Sequence, residues 1–299
     1  MGMRQGVTEQ LLTAAKELGF ELCGIMSAAP PEHFDAFERW IHSGMNAGMT
    51  HFVRNFEARK NPEALLSGVR SILMLGVSYK SVLNSEPHPI QQLSGIVEYA
   101  CGTDYHRWIR HRLNVLAEKH HELFPDGRCR GTVDTVPILE KQYAATAGLG
   151  TIGKNTLLIH PKFGSKLFLA TFLSTEWLEP TPVPEPFDPC GKCRRCLDAC
   201  PMGALVAPFV LDARRCLSYW TLIHRGALPE EISAKRGNRF LGCDTCQSVC
   251  PHNQSISVIP AGTLDPFSMD SDDLCNFLRG SPLENRIPLT PKVACYLDE

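Results

Sequence analysis

Apolar and polar positions in the first part of the chain switch between helical and strand spacing. An apolar series at helical intervals covers residues 11–18 and stops at Gly19, and residues 20–25 then alternate as a strand does. A second helix is predicted over 31–44, and residues 71–79 form an apolar run with the length of a buried strand. Helices and strands follow one another from the start, which predicts the α/β fold class.

The same pattern continues to residue 178 and completes the predicted unit. Asn61-Pro62 favours a short helix, and Thr103 or Asp104 is expected to cap a long one. In chain order, the other predictions are a loop over 81–95, a helix over 103–122, an extended segment over 132–136, a helix over 138–147 and a strand over 167–173.

A proline-rich segment marks the predicted domain boundary. Residues 179–189 hold five prolines in 11 positions, a composition that is incompatible with a helix or a central strand. We therefore expect an α/β (α+β) unit over residues 1–178, a smaller unit over 179–255, and a tail over 256–299 that packs on the body.

Composition and charge narrow the function classes. The chain has 299 residues, of which 43% are hydrophobic and 21% charged, as in a globular protein with a substantial core. Thirty Lys and Arg against 32 Asp and Glu give a net charge of −2, so the whole chain offers no bulk attraction for nucleic acid. The N-terminal region carries Glu9 and Glu17 and no apolar run of membrane-spanning length occurs, so neither a secretory signal nor a membrane span is predicted.

Cysteine is the outlier of the composition. Eight of the 13 cysteines lie between Cys190 and Cys250, which in a chain of this size indicates metal rather than disulfides. The run C-x2-C-x2-C-x3-C-P that begins at Cys190 is the one that bacterial two-cluster ferredoxins use. Cys243-x2-Cys246-x3-Cys250-Pro is the same run without its first cysteine, and Cys216 would supply the missing ligand.

Pseudo-symmetry of the two runs assigns four ligands to each of two [4Fe–4S] clusters. One set is Cys190, Cys193, Cys196 and Cys250, and the other is Cys200, Cys216, Cys243 and Cys246. Two tetrahedral zinc sites are the alternative, since paired C-x2-C motifs also bind zinc. The x2-x2-x3-Pro spacing and its near copy favour iron–sulfur clusters.

A glycine-rich segment comes close to a nucleotide-binding signature. Gly148-Leu-Gly-Thr-Ile-Gly-Lys-Asn-Thr156 matches G-x-G-x-x-G, but a dinucleotide fingerprint must follow a strand, and the residues before this segment have a helical pattern. We expect a helix C-cap and a tight turn instead, which explains the glycines but not Lys154 and Asn155.

Two further residues have both a chemical and a plain structural interpretation. Asp104-x-His106 resembles the start of the cobalamin motif D-x-H-x-x-G, but Ile109 replaces its glycine, so a surface or packing role is expected for His106. Asp134 follows a short extended segment, and its spacing alone favours a capping aspartate over a catalytic one.

Positive charge is concentrated in two segments despite the small net charge. Residues 101–170 contain ten Lys or Arg against six acids, and residues 190–240 contain nine against four. A basic face that contacts phosphates is one interpretation, and ordinary solvated charge is the other.

Four segments, together with the ferredoxin run, resemble the epoxyqueuosine reductase family. They are Tyr99-Ala-Cys-Gly-Thr-Asp-Tyr-His106, Val133-Asp-Thr-Val-Pro-Ile-Leu-Glu140, Gly148 to Thr156, and Gly242-Cys-Asp-Thr-Cys-Gln-Ser-Val-Cys-Pro251. The resemblance implies a cytoplasmic, cobalamin-dependent enzyme that removes the epoxide oxygen of epoxyqueuosine in tRNA. It also implies an α/β cobalamin-binding module joined to a ferredoxin-like module with two [4Fe–4S] clusters, a fold related to reductive dehalogenases.

Residue roles follow from the resemblance position by position. Asp134, in the V-D-T-x-P motif, would be the proton donor. The candidates for lining the cobalamin pocket are Arg54, Cys101, Asp134, Lys154, Asn155 and Asp244. Since reductive opening of an epoxide needs two electrons and a proton, Asp134 must hold a proton near neutral pH. We therefore expect it in a buried, partly apolar site that raises its pKa.

The resemblance also implies the cofactor state and the partners. We expect base-off cobalamin without a histidine ligand, a tRNA anticodon stem-loop as substrate, an external low-potential electron donor, and a monomer. A reductive dehalogenase is a rival, although no twin-arginine signal is visible. A ferredoxin-type electron carrier would have no use for the α/β unit, and a cobalamin-trafficking protein would have little use for two clusters.

Overall fold

The computed structural model describes residues 2–83, 95–101, 104–185, 187–239 and 241–254. Within these ranges the α-helices are α1 Gly2–Glu17, α2 Phe34–His42, α3 Thr50–Arg54, α4 Phe56–Lys60, α5 Tyr79–Leu83, α6 Tyr105–Leu123, α7 Glu140–Thr146, α8 Arg195–Asp198, α9 Glu230–Arg236 and α10 Thr245–Ser248. The strands are β1 Leu22–Ser27, β2 Ser71–Ser78, β3 Cys129–Thr132, β4 Thr151–Ile152, β5 Leu158–Ile159, β6 Leu167–Ser174, β7 Leu205–Ala207 and β8 Val210–Leu211.

A four-stranded sheet in the order β1-β2-β6-β3 organises the first unit. All of its neighbouring strands are antiparallel, so the predicted α/β (α+β) class is confirmed in its α+β form. The strand pairs β4–β5 and β7–β8 form two small antiparallel ribbons outside this sheet.

β2 is buried along its whole length, as its apolar sequence predicts. Its side chains alternate between two cores because successive residues of a strand point to opposite faces. Leu73 and Leu75 belong to the core that contains residues of α1 and α6, whereas Ile72 and Met74 belong to the core that contains Tyr143 of α7. Helices therefore cover the sheet on both faces.

The predicted end of the first helix and the predicted cap of the long helix are confirmed. Gly19 follows α1 with φ +91°, a left-handed conformation that suits glycine. The Asp104 carboxylate accepts the backbone N–H of His106 at 2.9 Å and caps α6. The loop predicted over 81–95 is wrong at its start, because α5 extends to Leu83, and residues 84–94 lie outside the described residues.

The segment between β3 and α7 differs from its prediction. β3 ends at Thr132, so the extended segment predicted over 132–136 is wrong beyond its first residue, and α7 begins two residues later than predicted. Tight turns occupy the interval, with the N–H of Thr135 donating to the Val133 carbonyl and the N–H of Ile138 donating to the Val136 carbonyl. Strand propensity is overridden here by local turn hydrogen bonds.

The proline-rich segment contains no helix or strand in its described residues. It lies against the first unit, because the N–H of Ile25 donates to Thr181 Oγ1 at 3.0 Å and the N–H of Glu179 donates to Thr8 Oγ1 at 3.1 Å. Met202, Leu217 and Ile232 form a separate small core in the cysteine-rich part. The boundaries at 178 and 255 stay predictions, and the tail over 256–299 lies outside the described residues.

None of the helices in the described ranges has the length and apolar character of a transmembrane span.

Candidate active site

The turn after β3 places Asp134 in an unusual backbone conformation. Its φ of +36° lies in the left-handed region, which costs a non-glycine residue roughly 1–3 kcal/mol. The hydrogen bond from Thr135 N–H to the Val133 carbonyl, at 2.5 Å, closes the turn around it. Strained residues of this kind occur preferentially at functional sites, so this turn is a candidate on backbone geometry alone.

Contacts from two helix N-termini hold Asp134 in place. The Tyr105 hydroxyl donates to its Oδ2, and His106 Nε2 lies 3.0 Å from its Oδ1. The backbone N–H of Asp134 donates to Glu140 Oε1 at 2.9 Å. Tyr105 and His106 open α6, 29 and 28 positions from Asp134, and fix its side chain, whereas Glu140 opens α7 six positions away and fixes its backbone.

His106 is buried, and both of its ring nitrogens have carboxylate partners. Nδ1 lies 2.8 Å from Asp104 Oδ1, and Nε2 faces Asp134. Burial acts to lower the pKa of His106, but the hydrogen bonds with Asp104 and Asp134, and the charges of both, outweigh it and raise this pKa to about 9. The ring is therefore protonated at neutral pH and donates through both nitrogens. The burial of His106 agrees with the expected packing role, and its hydrogen bond with Asp134 adds a contact that the sequence analysis did not predict.

Glu140 brings a second carboxyl group to the turn. Burial raises the pKa of Glu140 to about 8, the hydrogen bond from Asp134 N–H opposes this, and the charge of Asp134 raises the pKa further. Glu140 is therefore mostly protonated at neutral pH. The turn thus combines a strained aspartate with two neighbouring groups that retain protons.

Asp134 opens onto a large cleft. Its side chain is 41% exposed, so the expectation of a buried site is wrong, while the expected rise in its pKa stays a prediction. The cleft has a volume of about 1040 Å³, above the range of roughly 300–1,000 Å³ that is usual for small-molecule sites. Its walls come from α2 and α3, from residues 134–142, and from residues 209–213.

The lining of the cleft suits a large, flat cofactor. The aromatic side chains on it are those of Phe37, Trp40, Phe52 and Phe209, joined by several aliphatic residues. Trp40 Nε1 donates to the Leu211 carbonyl at 2.6 Å and ties α2 to β8 across the wall. A broad, mainly apolar space with a hydrogen-bonded carboxyl group on one side fits the corrin ring that the family resemblance implies.

Lys141 connects this cleft to the cysteine-rich segment. Its ammonium donates to the Thr156 carbonyl at 2.8 Å, and both residues lie on the cleft. Desolvation lowers the pKa of Lys141 although its side chain is exposed, and the charges of Cys246 and Glu140 act to raise it. Lys141 is thus within electrostatic range of Cys246, which belongs to one of the cysteine sets.

The eight clustered cysteines fall into two spatial sets. Burial is the main cause of the raised pKa values of Cys196, Cys216, Cys246 and Cys250, and charges on neighbouring thiols add to it. The neighbours of Cys196 and Cys250 are Cys190 and Cys193, whereas the neighbours of Cys246 are Cys216, Cys243 and Cys200. None of the eight forms a disulfide. This grouping matches the assignment by pseudo-symmetry, and as a ligand set it stays a prediction.

Lys154 and Asn155 lie beside the cysteine-rich segment and are absent from the lining of the cleft. Lys154 Nζ donates to the Gly191 carbonyl at 2.5 Å and to the Cys193 carbonyl at 3.0 Å, and its backbone N–H donates to Cys190 Sγ at 3.3 Å. Asn155 is buried and accepts the N–H of Leu157 through its side chain at 3.3 Å.

The glycine-rich segment follows a helix, as its pattern predicts. Gly148 comes two residues after α7 with φ +81°, and Gly150 has φ +152°. The prediction of a helix C-cap and a tight turn is therefore confirmed. A dinucleotide fingerprint requires a strand before its glycines, and here the helix α7 precedes them.

Cys101 and Asp244 lie near one another, also off the cleft. Cys101 is buried and its thiol donates to the Val97 carbonyl at 3.4 Å, while burial and the charges of Asp244 and Glu98 raise its pKa to about 12. Asp244 accepts the N–H of Glu98 at 2.6 Å, and burial raises its pKa to about 6. Arg54 is exposed at the end of α3. As cobalamin contacts, these residues stay predictions.

Tyr105 and Glu140 are site residues that the sequence analysis did not single out. Both stand inside segments that carry the family resemblance, Tyr99–His106 and Val133–Glu140. The feature they share is their position, since each is the first residue of a helix that begins next to the Asp134 turn.

Two family models match the chain. One, described as epoxyqueuosine reductase QueG, DUF1730, covers residues 59–135 and therefore includes Tyr105, His106 and Asp134. The other, described as a 4Fe-4S double cluster binding domain, covers residues 189–253 and all eight clustered cysteines. The second match confirms the prediction of two [4Fe–4S] clusters over the zinc alternative.

Curated relatives and solved structures are similar over most of the chain. The epoxyqueuosine reductase of Pseudomonas aeruginosa is 38% identical over 282 residues, which are 90% of this chain and 75% of the relative. A crystal structure of epoxyqueuosine reductase with a tRNA-Tyr epoxyqueuosine-modified stem loop has a TM-score of 0.75 at 31% identity, over 91% of this chain and 75% of that one. The Bacillus subtilis enzyme, with its catalytic aspartate loop swung out of the active site, has a TM-score of 0.81 at 28% identity, over 98% of this chain and 82% of that one.

Proposed function

The chain belongs to the epoxyqueuosine reductase family, and we propose that it reduces epoxyqueuosine in tRNA to queuosine at the Asp134 cleft. The observation that carries this proposal is the juxtaposition of two features. A hydrogen-bonded carboxyl group with protonated neighbours faces one side of the cleft, and Lys141 on the same cleft is within electrostatic range of Cys246. A proton source and a cysteine set suited to a cluster thus lie near one space. An electron carrier without substrate chemistry would need the cysteine set but not the hydrogen-bonded carboxyl group.

The reaction consumes two electrons and two protons, and it releases the epoxide oxygen as water while a carbon–carbon double bond forms. When bound, cobalamin supplies the reductive chemistry at the epoxide carbon. Asp134 passes to the departing oxygen a proton that it receives from the protonated His106, through the hydrogen bond between His106 Nε2 and Asp134 Oδ1. The Tyr105 hydroxyl, bonded to Oδ2, keeps the carboxyl plane in position.

We propose that the two cysteine sets hold the two clusters as assigned by pseudo-symmetry. Cys190, Cys193, Cys196 and Cys250 bind one cluster, and Cys200, Cys216, Cys243 and Cys246 bind the cluster nearer the cleft. The aromatic wall of the cleft, formed by Phe37, Trp40, Phe52 and Phe209, would hold cobalamin. Because both ring nitrogens of His106 already have carboxylate partners, this histidine is not free to ligate cobalt, which supports base-off cobalamin without a histidine ligand.

The substrate is proposed to be the anticodon stem-loop of a tRNA that carries epoxyqueuosine. The solved relative with a modified tRNA stem loop supports this, as do the ten basic residues against six acids in residues 101–170. We further propose a cytoplasmic monomer that receives electrons from an external low-potential donor. Binding to the stem-loop is expected to weaken steeply with salt, and a flat salt profile would dismiss the basic face.

Anaerobic turnover tests the proposed function. The reconstituted protein, with cobalamin and a low-potential reductant, is incubated with tRNA that contains epoxyqueuosine, and the nucleosides are analysed by mass spectrometry. We expect conversion to queuosine that depends on cobalamin. Unchanged epoxyqueuosine in the presence of intact cluster spectra and bound cobalamin would overturn the proposal.

A further inference from the structure

We infer that the charge of Lys154 raises the reduction potential of the cluster bound by Cys190, Cys193, Cys196 and Cys250. The inference rests on the cluster assignment within the proposed function, and it does not depend on the substrate or on cobalamin. It gives Lys154 a role at a cluster in place of the cobalamin contact that the resemblance implies.

Lys154 contacts the first cysteine loop through both its side chain and its backbone. The ammonium donates to the carbonyls of Gly191 and Cys193, at 2.5 and 3.0 Å. It therefore lies directly on the loop that carries the cluster ligands Cys190 and Cys193. The backbone N–H donates to Cys190 Sγ at 3.3 Å. These partners are 36 to 39 positions away in the chain, so a tertiary contact, and no local turn, places the charge.

The turn around Lys154 fixes its backbone. The N–H of Gly153 donates to the Leu157 carbonyl at 2.8 Å, and the N–H of Thr156 donates to the Gly153 carbonyl at 2.9 Å. The carbonyl of Lys154 itself accepts the N–H of Phe209 at 3.1 Å. With its carbonyl, N–H and ammonium all engaged, Lys154 is held as a fixed charge beside the loop, in contrast to a solvated side chain.

Asp188 places an opposite charge on the same loop. Its Oδ1 accepts the N–H groups of Cys190 and Gly191 at 2.9 and 3.0 Å. Asp188 is exposed, as are Lys192, Arg194 and Arg195 on this loop, so water and salt partly screen these charges, whereas Lys154 is only partly exposed. Lys154 and Asp188 both hydrogen-bond directly to the backbone of the loop that carries the ligands.

Reduction of a cluster by one electron adds one negative charge to it. A fixed positive charge and an N–H donor to a ligand sulfur both stabilise the reduced form, and so raise the potential. Removal of the Lys154 charge leaves Asp188 uncompensated and favours the oxidised form. Removal of the Asp188 charge does the opposite.

Redox titration followed by EPR, on the cluster-loaded protein without cobalamin or tRNA, tests the inference. Lys154→Gln retains a donor for the loop carbonyls but no charge, and Lys154→Arg retains the charge. We expect Lys154→Gln to change the oxidised-to-reduced ratio of one cluster about tenfold at a fixed solution potential, a shift of ~59 mV to more negative values. Lys154→Arg should stay within about threefold of the parent. Lys162→Gln, which removes an ammonium that lies over Phe163, is the matched control and should also change little.

Asp188→Asn provides a second arm that does not depend on the stability of the Lys154 variants. Asparagine keeps an oxygen for the two N–H donors, and loss of the charge should move the potential of the same cluster to less negative values. Unchanged potentials in Lys154→Gln at full iron and sulfide content, equal shifts in the Gln and Arg variants, or a fall in Asp188→Asn would each overturn the inference. Failure of tRNA turnover would leave these potentials, and hence the inference, unaffected.

Discussion

Replacement of His106 by glutamine should remove a pH-dependent part of the protein's stability. The pKa of His106 is raised from 6.5 to about 9, so the folded protein binds a proton that the unfolded chain has already released in this interval. The stabilisation is complete below pH 6.5 and is lost as the pH rises through about 9. At about 1.4 kcal/mol for each pH unit the difference amounts to about 3 kcal/mol. Screening at the partly exposed aspartate partners reduces it to about 2 kcal/mol.

Anaerobic urea unfolding at pH 6.5 and at pH 9 measures this loss in the parent protein and in His106→Gln. The parent should lose about 2 kcal/mol more than the variant between the two pH values, and other titrating groups cancel in the comparison because both proteins share them. An equal loss in both proteins would refute the proposed protonation of His106 and, with it, the role of His106 in supplying protons to Asp134.

Substitutions at three more residues test other parts of the structure. Glu140→Ala should lower the single-turnover rate more than about tenfold, because the acceptor for Asp134 N–H is lost, whereas Glu140→Gln should retain most of the rate. Gly242→Ala should lower the free energy of unfolding by about 2 kcal/mol or more, since φ is +78° and the new Cβ would lie 2.4 Å from that of Val97. Burial lowers the pKa of His120 to about 4, so stability should fall by about 2 kcal/mol between pH 6.5 and 5, and His120→Gln should lose this dependence. A rate in Glu140→Gln as low as in Glu140→Ala, or pH profiles unchanged in His120→Gln, would contradict these expectations.

Local patterns in the sequence predicted the elements that local physics determines. The apolar run of β2, the stop at Gly19 and the cap at Asp104 depend on neighbouring residues, and each has the structure that its pattern predicts. The turn after β3 depends on neighbouring residues only in part, because Tyr105 and His106 of α6 also hold the Asp134 side chain. Those two contacts span 29 and 28 positions, so a short window of sequence does not contain them.

His106 illustrates why the site was only partly visible. It lies three residues before Ile109 and seven before Leu113, on the buried face of α6, which favoured a packing role. Its raised pKa comes from Asp104, two positions away, and from Asp134, 28 positions away, and only the second contact depends on the tertiary fold. Lys154 is a similar case, since its partners Gly191 and Cys193 belong to the other predicted unit. The sequence shows which residue types are present, but which of these residues contact one another depends on the tertiary fold.

Single-turnover reduction of epoxyqueuosine tRNA by Asp134→Asn tests the central claim most directly. Asparagine keeps an oxygen for His106 but cannot deliver a proton, so clusters and cobalamin should bind as in the parent protein while no queuosine forms. Queuosine formation at the parent rate in this variant would contradict the assignment of Asp134 as the proton donor of the cleft.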